Sequence, residues 1–125
     1  MTPMSPLRPL ALALAAALAP AFAGGCNTVT LEDYPCPPGG TALTYENFGA
    51  SFMASYCNAC HSAPDGQRNG APDDYVFDTR AEIIASKDQI FINAADTNDA
   101  MPPGPNDIQP VFRVNLAIWL ACGAP

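Results

Sequence analysis

A chain of 125 residues has room for one domain, or for one domain and a targeting segment. Five basic against twelve acidic side chains give a formal charge of −7, which excludes the basic footprint of a nucleic-acid binder and adsorption to anionic lipid. Charged residues are only 14% and apolar ones 49%, so the chain is not a disordered acidic tail, and its single histidine rules out any site built on two.

Residues 1–9 carry Arg8 and no acid, and Leu10 to Ala23 is an apolar run interrupted by Pro20. Small residues follow, Ala23-Gly24-Gly25-Cys26. A weakly basic start, a short apolar stretch and a small-residue exit read as a secretory signal, the alternative being a buried core helix. Fourteen residues are few for a bilayer span. Ala21-Phe22-Ala23 fits ordinary signal cleavage. Ala23-Gly24-Gly25-Cys26 resembles a bacterial lipobox, departing from it at Ala23, where leucine is commonest. On the lipobox reading, residues 1–25 are a lipoprotein signal peptide, Cys26 is lipidated, and acyl chains hold the domain at a membrane on the periplasmic side. Asn27 is not the aspartate associated with inner-membrane retention, which tilts the reading towards the outer membrane. Loss of Arg8 leaves four bases against twelve acids, a charge of −8 over 100 residues. Disulfides persist in such an exported compartment.

Residues 26–43 are rich in Pro, Gly and Thr around Cys36-Pro37-Pro38-Gly39-Gly40 and read as tether and leading loop. The domain proper is expected over 44–125. Thr44 is a candidate N-cap, with Leu43 and Phe48 as a hydrophobic staple and Glu46 in the first turn, for a helix from Tyr45 to about Cys60. Ser62 to Tyr75 reads as loop. The capping-box patterns Thr79-Arg80-Ala81-Glu82 and Ser86-Lys87-Asp88-Gln89 predict short helices near 80–86 and 87–95. After a second loop, Asp107 can cap a last helix that tolerates Pro110 in its first turn and ends near Cys122, with Gly123 at C′. Val111, Phe112, Val114, Leu116, Ile118, Trp119 and Leu120 make that helix apolar nearly all round, so burial is expected. No stretch alternates with period two, and the domain is read as all-α.

Cys57-Asn58-Ala59-Cys60-His61 is the C-x-x-C-H pattern of c-type haem attachment. Two thiols one helical turn apart add across two haem vinyl groups, and the next imidazole becomes the proximal iron ligand. Cys57 and Cys60 are then thioether ligands of the macrocycle. His61 binds iron through Nε2 while a backbone carbonyl holds Nδ1–H. The competing readings are a redox dithiol, which wants a βαβ setting, and half a zinc site, which needs four ligands and could recruit Cys36 and Cys122.

With this motif the chain resembles a small monohaem cytochrome c of the soluble type, over roughly residues 44–122. Gly49, Phe52 and Met53 match that family's N-terminal helix. Met101-Pro102-Pro103 looks like its distal methionine loop, and Leu116 to Leu120 with Trp119 like its C-terminal helix. The resemblance implies about four helices around one covalent haem c. The sixth ligand also follows by elimination. No second histidine exists, Met1 and Met4 leave with the signal, and Met53 lies on the attachment side. Met101 remains, as iron ligand or as a core-filling methionine beside an open distal site. Gly70-Ala71-Pro72 resembles the family's Gly-Pro turn, whose proline carbonyl accepts the histidine Nδ1–H. Here Ala71 intervenes, so Ala71 or Pro72 would supply it. Of the mature cations Arg68, Arg80, Lys87 and Arg113, one could pair a haem propionate, though a solvated surface role is the simpler expectation for each.

With Cys57 and Cys60 on haem and Cys26 lipidated, Cys36 and Cys122 are left able to pair. Lipidation of Cys26 thus removes the odd cysteine, and in the resembled fold, whose first and last helices touch, a Cys36–Cys122 bond would tie the leading loop to the C-terminus.

The function expected is that of a membrane-tethered electron carrier with His61/Met101 ligation, not an enzyme by itself. Its acidic surface calls for a redox partner with a basic docking patch. The alternatives are a haem enzyme or sensor with an open or labile distal site, and a disulfide-stabilised extracytoplasmic binding lipoprotein without haem.

Overall fold

The computed structural model describes residues 28–64, 68–105 and 107–125. The expected signal 1–25, the lipidation at Cys26 and Asn27 lie outside the described residues. Among those described there is no strand, and the domain is all-α. No described helix is long and apolar enough to cross a membrane.

Thr44 caps the first helical segment. Its hydroxyl accepts the Asn47 N–H at 3.2 Å, and the Asn47 side chain accepts the Thr44 N–H at 2.7 Å. The segment opens as a turn of π-helix, Tyr45–Gly49, and continues as α1, Ala50–Tyr56. Helix α2, Asn58–His61, follows after a break at Cys57, so the single helix expected over 45–60 is in two parts. Thr79 and Glu82 close a full capping box on α3, Arg80–Ala85. Ser86 then joins it to α4, Lys87–Ala94. The second box does not form, because Ser86 makes no side-chain cap bond.

Helix α5 spans Pro110–Ala121. Gln109 occupies its N-cap, not Asp107, and proline stands at the first helical position, where no N–H is needed. At the other end Gly123 adopts φ 86°. Gly123 N–H bonds to Leu120 O at 3.0 Å and Ala124 N–H to Trp119 O at 2.9 Å, a complete Schellman closure. Leu116, Ala117, Trp119 and Leu120 are fully buried, but Val111, Phe112 and Val114 are 57%, 37% and 38% exposed. The expectation of burial all round therefore fails over the first turn and a half of α5.

The core gathers Phe52, Met53, Ile83, Phe91, Leu116 and Trp119. Residues read as tether contribute as well: Val29, Leu31, Tyr34 and Leu43 pack against it, with a 3₁₀ turn at Leu31–Asp33. The first and last helical segments meet at Gly49 and Trp119. A Cβ on Gly49 would stand 2.4 Å from Trp119 Cζ2, so only glycine permits this approach. Nearby, the Tyr45 N–H donates to Pro125 O at 2.6 Å.

Cys36 and Cys122 are joined by a disulfide, with Cα atoms 4.8 Å apart and 86 residues of separation. The leading loop is thereby tied to the end of α5.

Candidate functional site

Helix α2 is one turn long and, with Cys57 at its N-cap, carries the motif. Its Cys60 and His61 N–H groups bond to Cys57 O at 3.1 and 3.0 Å. This turn sets Cys57, Cys60 and His61 in the wall of a cavity of about 290 Å³. Tyr56, Tyr75, Phe77, Ile90 and Ile108 make the wall mostly apolar, and Met101 with Pro102 and Pro103 lines the same space. The four residues singled out in the sequence thus share one cavity, although Met101 is 40 positions from His61 in the chain.

His61 is fixed on several sides. Its Nδ1 lies 2.9 Å from Tyr75 O. A carbonyl only accepts, so Nδ1 carries the hydrogen, and in the neutral ring the lone pair is on Nε2. The ring stacks on Phe77, centroids 4.6 Å apart at 21°, and His61 O accepts the Phe77 N–H at 2.8 Å. The expected acceptor, Ala71 or Pro72, is therefore corrected to Tyr75. The reason is local. Asn69 and Gly70 take φ 47° and 86° in a tight turn closed by Ala71 N–H to Arg68 O at 2.8 Å. Pro72 O is then occupied by the Tyr75 N–H at 3.1 Å and by the Arg68 guanidinium. Arg68 Nη2 also donates to Tyr75 O at 2.9 Å, so one oxygen serves both Arg68 and His61. Below the motif, Asp78 Oδ2 accepts the Ala63 N–H at 2.8 Å. Bonds from the Ser62 hydroxyl and from this N–H hold the Asp78 carboxyl below its ordinary value, against a smaller desolvation effect.

Burial pushes the Cys57 thiol up to about 12, with Cys60 adding to the shift. Redox dithiols need the opposite, a thiol made acidic by its surroundings. Zinc fares no better, since no three His, Cys, Asp or Glu side chains among the described residues converge on a point. Cys36 and Cys122, the extra ligands such a site could recruit, are bonded to each other.

Two cations depart from the solvated role expected of them. Arg113 is 5% exposed and bonded to the loop that carries Met101. Arg68 is committed to Pro72 and Tyr75, whereas Arg80 stays exposed with its Nε donating to Ala124 O at 2.7 Å. Sequence reasoning left Tyr75 and Phe77 unassigned and gave Arg113 no partner. A lone charge in the apolar run Val111 to Leu120 was the available signal for Arg113.

Comparison of the chain with protein-family models, with curated proteins and with solved structures finds no match.

Proposed function

We propose that this protein is a one-electron carrier holding a single covalent haem c, attached through Cys57 and Cys60 and ligated by His61 and Met101. The observation that carries the reading is the state of His61. Its Nδ1–H is spent on Tyr75 O and its ring is clamped on Phe77, so in the neutral ring Nε2 is the nitrogen left for a metal, on a ring that lines the cavity. Metal-bound histidines are oriented in this way, by a bond from the other ring nitrogen.

The donor set also fits: two thiols at i and i+3, one imidazole and one thioether around an apolar space. Bound there, a haem supplies a one-electron iron couple, whose potential a thioether ligand raises. The chain's own residues exclude water with Tyr56, Phe77, Ile90 and Ile108, and they hold the imidazole proton on Nδ1. We take the helices as a cytochrome c-like arrangement, on the Gly49–Trp119 meeting of its first and last segments. Export, lipidation at Cys26, attachment to a membrane on the periplasmic side and a basic-patched redox partner remain parts of this proposal. They are motivated by the lipobox-like Ala23-Gly24-Gly25-Cys26 and by the charge of −7.

A second reading, a haem enzyme or sensor with a labile distal position, is favoured by the 40% exposure of Met101. The absorption spectrum of protein made alongside haem-attachment machinery separates the two. A c-type spectrum with the weak deep-red sulfur-to-iron band in the ferric state supports the carrier. The same spectrum without that band, with carbon monoxide binding, supports the second. Protein without covalent haem overturns both and leaves a disulfide-stabilised binding protein.

A further inference from the structure

Arg113 is the one charged side chain buried in the core of the described residues, at 5% exposure. Burying a guanidinium is costly unless its donors are all employed. Its Nη1 shares its two hydrogens among three carbonyls, Ala94 O at 2.9 Å, Asn98 O at 2.9 Å and Met101 O at 3.0 Å. Its Nη2 donates to Asp107 Oδ1 at 2.7 Å. The Arg113 carbonyl in turn accepts the Asp96 N–H at 3.0 Å. Every one of these partners lies at the end of α4 or in the loop between α4 and α5.

That loop's two ends are held further, by Asn98 Nδ2 donating to Phe91 O and Val29 O at 3.0 Å and by the buried Ile108, but its middle has little else. Among the described residues, the stretch 99–105 is tied to the helices by two hydrogen bonds. One runs from Met101 N–H to Asn93 O at 2.8 Å, and the other from Arg113 to Met101 O. Both are on Met101. The Met101 side chain is 40% exposed, so packing does little to retain it. Its place in the cavity wall depends on its main chain.

We propose that Arg113 is a positioning residue for the distal ligand: it latches the Met101 peptide to α5 and so keeps the thioether at the cavity. This rests on the haem reading above. Only a planar fork spans three carbonyls and a carboxylate at once, and a lysine ammonium cannot replace it. With the latch released, the stretch 99–105 swings between Asn98, still bonded to Phe91 O and Val29 O, and the buried Ile108, and the distal position opens to outside ligands.

The test uses the full-length haem-loaded protein and the variants Arg113→Leu, Arg113→Lys, Asp107→Asn and Met101→Leu. Three quantities are read: the ferric sulfur-to-iron band, the rate of carbon monoxide binding to the ferrous form, and hydrogen exchange at the Met101 amide. Arg113→Leu and Arg113→Lys should keep covalent haem and helical circular dichroism. They should lose the band and bind carbon monoxide faster by about tenfold or more, the factor set by one lost charge-assisted hydrogen bond. Met101 amide exchange should rise by a similar factor, while Ala117 in α5 stays protected. Asp107→Asn, which spares the three carbonyl bonds, should fall between wild type and Arg113→Leu. Folded Arg113 variants with wild-type band, rate and exchange overturn the latch. Should Arg113→Leu fail to fold, Asp107→Asn decides: an intermediate rate upholds the latch and a wild-type rate overturns it. Failure of the haem reading looks different. The band then survives Met101→Leu, or no covalent haem is found, while Met101 amide exchange still reports on the Arg113 bond.

Discussion

His61 Nδ1 lies 2.9 Å from the carbonyl oxygen of Tyr75, and that same oxygen accepts Arg68 Nη2 at 2.9 Å. Two donors therefore compete for one acceptor, and the weaker the His61 bond, the less electron-rich its imidazole. Removing Arg68 strengthens the His61 bond and takes away a nearby cation. In the haem-loaded protein proposed above, both effects would favour ferric iron. Arg68→Leu is expected to lower the reduction potential of the loaded protein by on the order of 30–60 mV, up to a tenfold step for a one-electron couple. Potentiometric titration measures it, and an unchanged or raised potential contradicts the assignment.

Gly49 offers a second test. Its backbone is helical, φ −59°, so alanine meets no conformational penalty and gains about 1 kcal/mol of helix propensity. Against this stands the 2.4 Å separation between a Cβ and the rigid indole of Trp119. Trp119 is fully buried and cannot swing aside, and overpacking of this kind costs about 1–3 kcal/mol. Gly49→Ala is expected to destabilise by about 1–2 kcal/mol net in denaturant unfolding. A stabilised variant would mean that the two segments do not meet as described.

Asp78 gives a pH dependence of known sign. Hydrogen bonds from Ser62 and from the Ala63 N–H hold its carboxyl below the ordinary value of 3.8. A group depressed on folding stabilises fully above its unfolded value, and this support is lost as the pH falls through the folded value. Asp78→Asn should therefore be less stable than wild type at neutral pH, by an amount that shrinks to nothing in strong acid. Paired urea titrations at about pH 7 and about pH 2.5 test this, and a constant difference contradicts it.

Reduction of the Cys36–Cys122 bond frees a chain segment of 86 residues in the unfolded state. The chain-entropy model puts the lost stability at about 4.5 kcal/mol. Intact mass should rise by two hydrogens on mild reduction, and the denaturant midpoint should fall together with it. A mass that does not change rules the bond out.

Some of this was legible in sequence because the signals were local. Thr79 with Glu82, Thr44 ahead of Tyr45, and Gly123 after Cys122 each specify a cap within four residues, and each cap forms. Cys57, Cys60 and His61 announce themselves by spacing alone, since one helical turn delivers all three to the same wall. What sequence does not display is acceptor competition across a fold. Pro72 looks like the histidine's partner until a turn at Asn69–Gly70 hands its oxygen to Tyr75 and Arg68. Asp107 looks like a helix cap until Arg113, one and a half turns on, draws it into an ion pair at 2.7 Å. The exposed apolar stripe at Val111, Phe112 and Val114 is likewise invisible to periodicity, which registers apolarity but not whether a neighbour arrives to cover it.

The disulfide also has a topological consequence. Every residue that lines the cavity, from Tyr56 to Ile108, lies between Cys36 and Cys122. One cut in an exposed loop, at Pro72 to Asp74 for instance, therefore yields a nicked ring and not two fragments. Such a cut parts the motif from the methionine loop in sequence, yet both remain on one covalent body until the sulfur bridge is opened. A protease and a reductant must act together to take this site apart, each alone leaving the pieces attached.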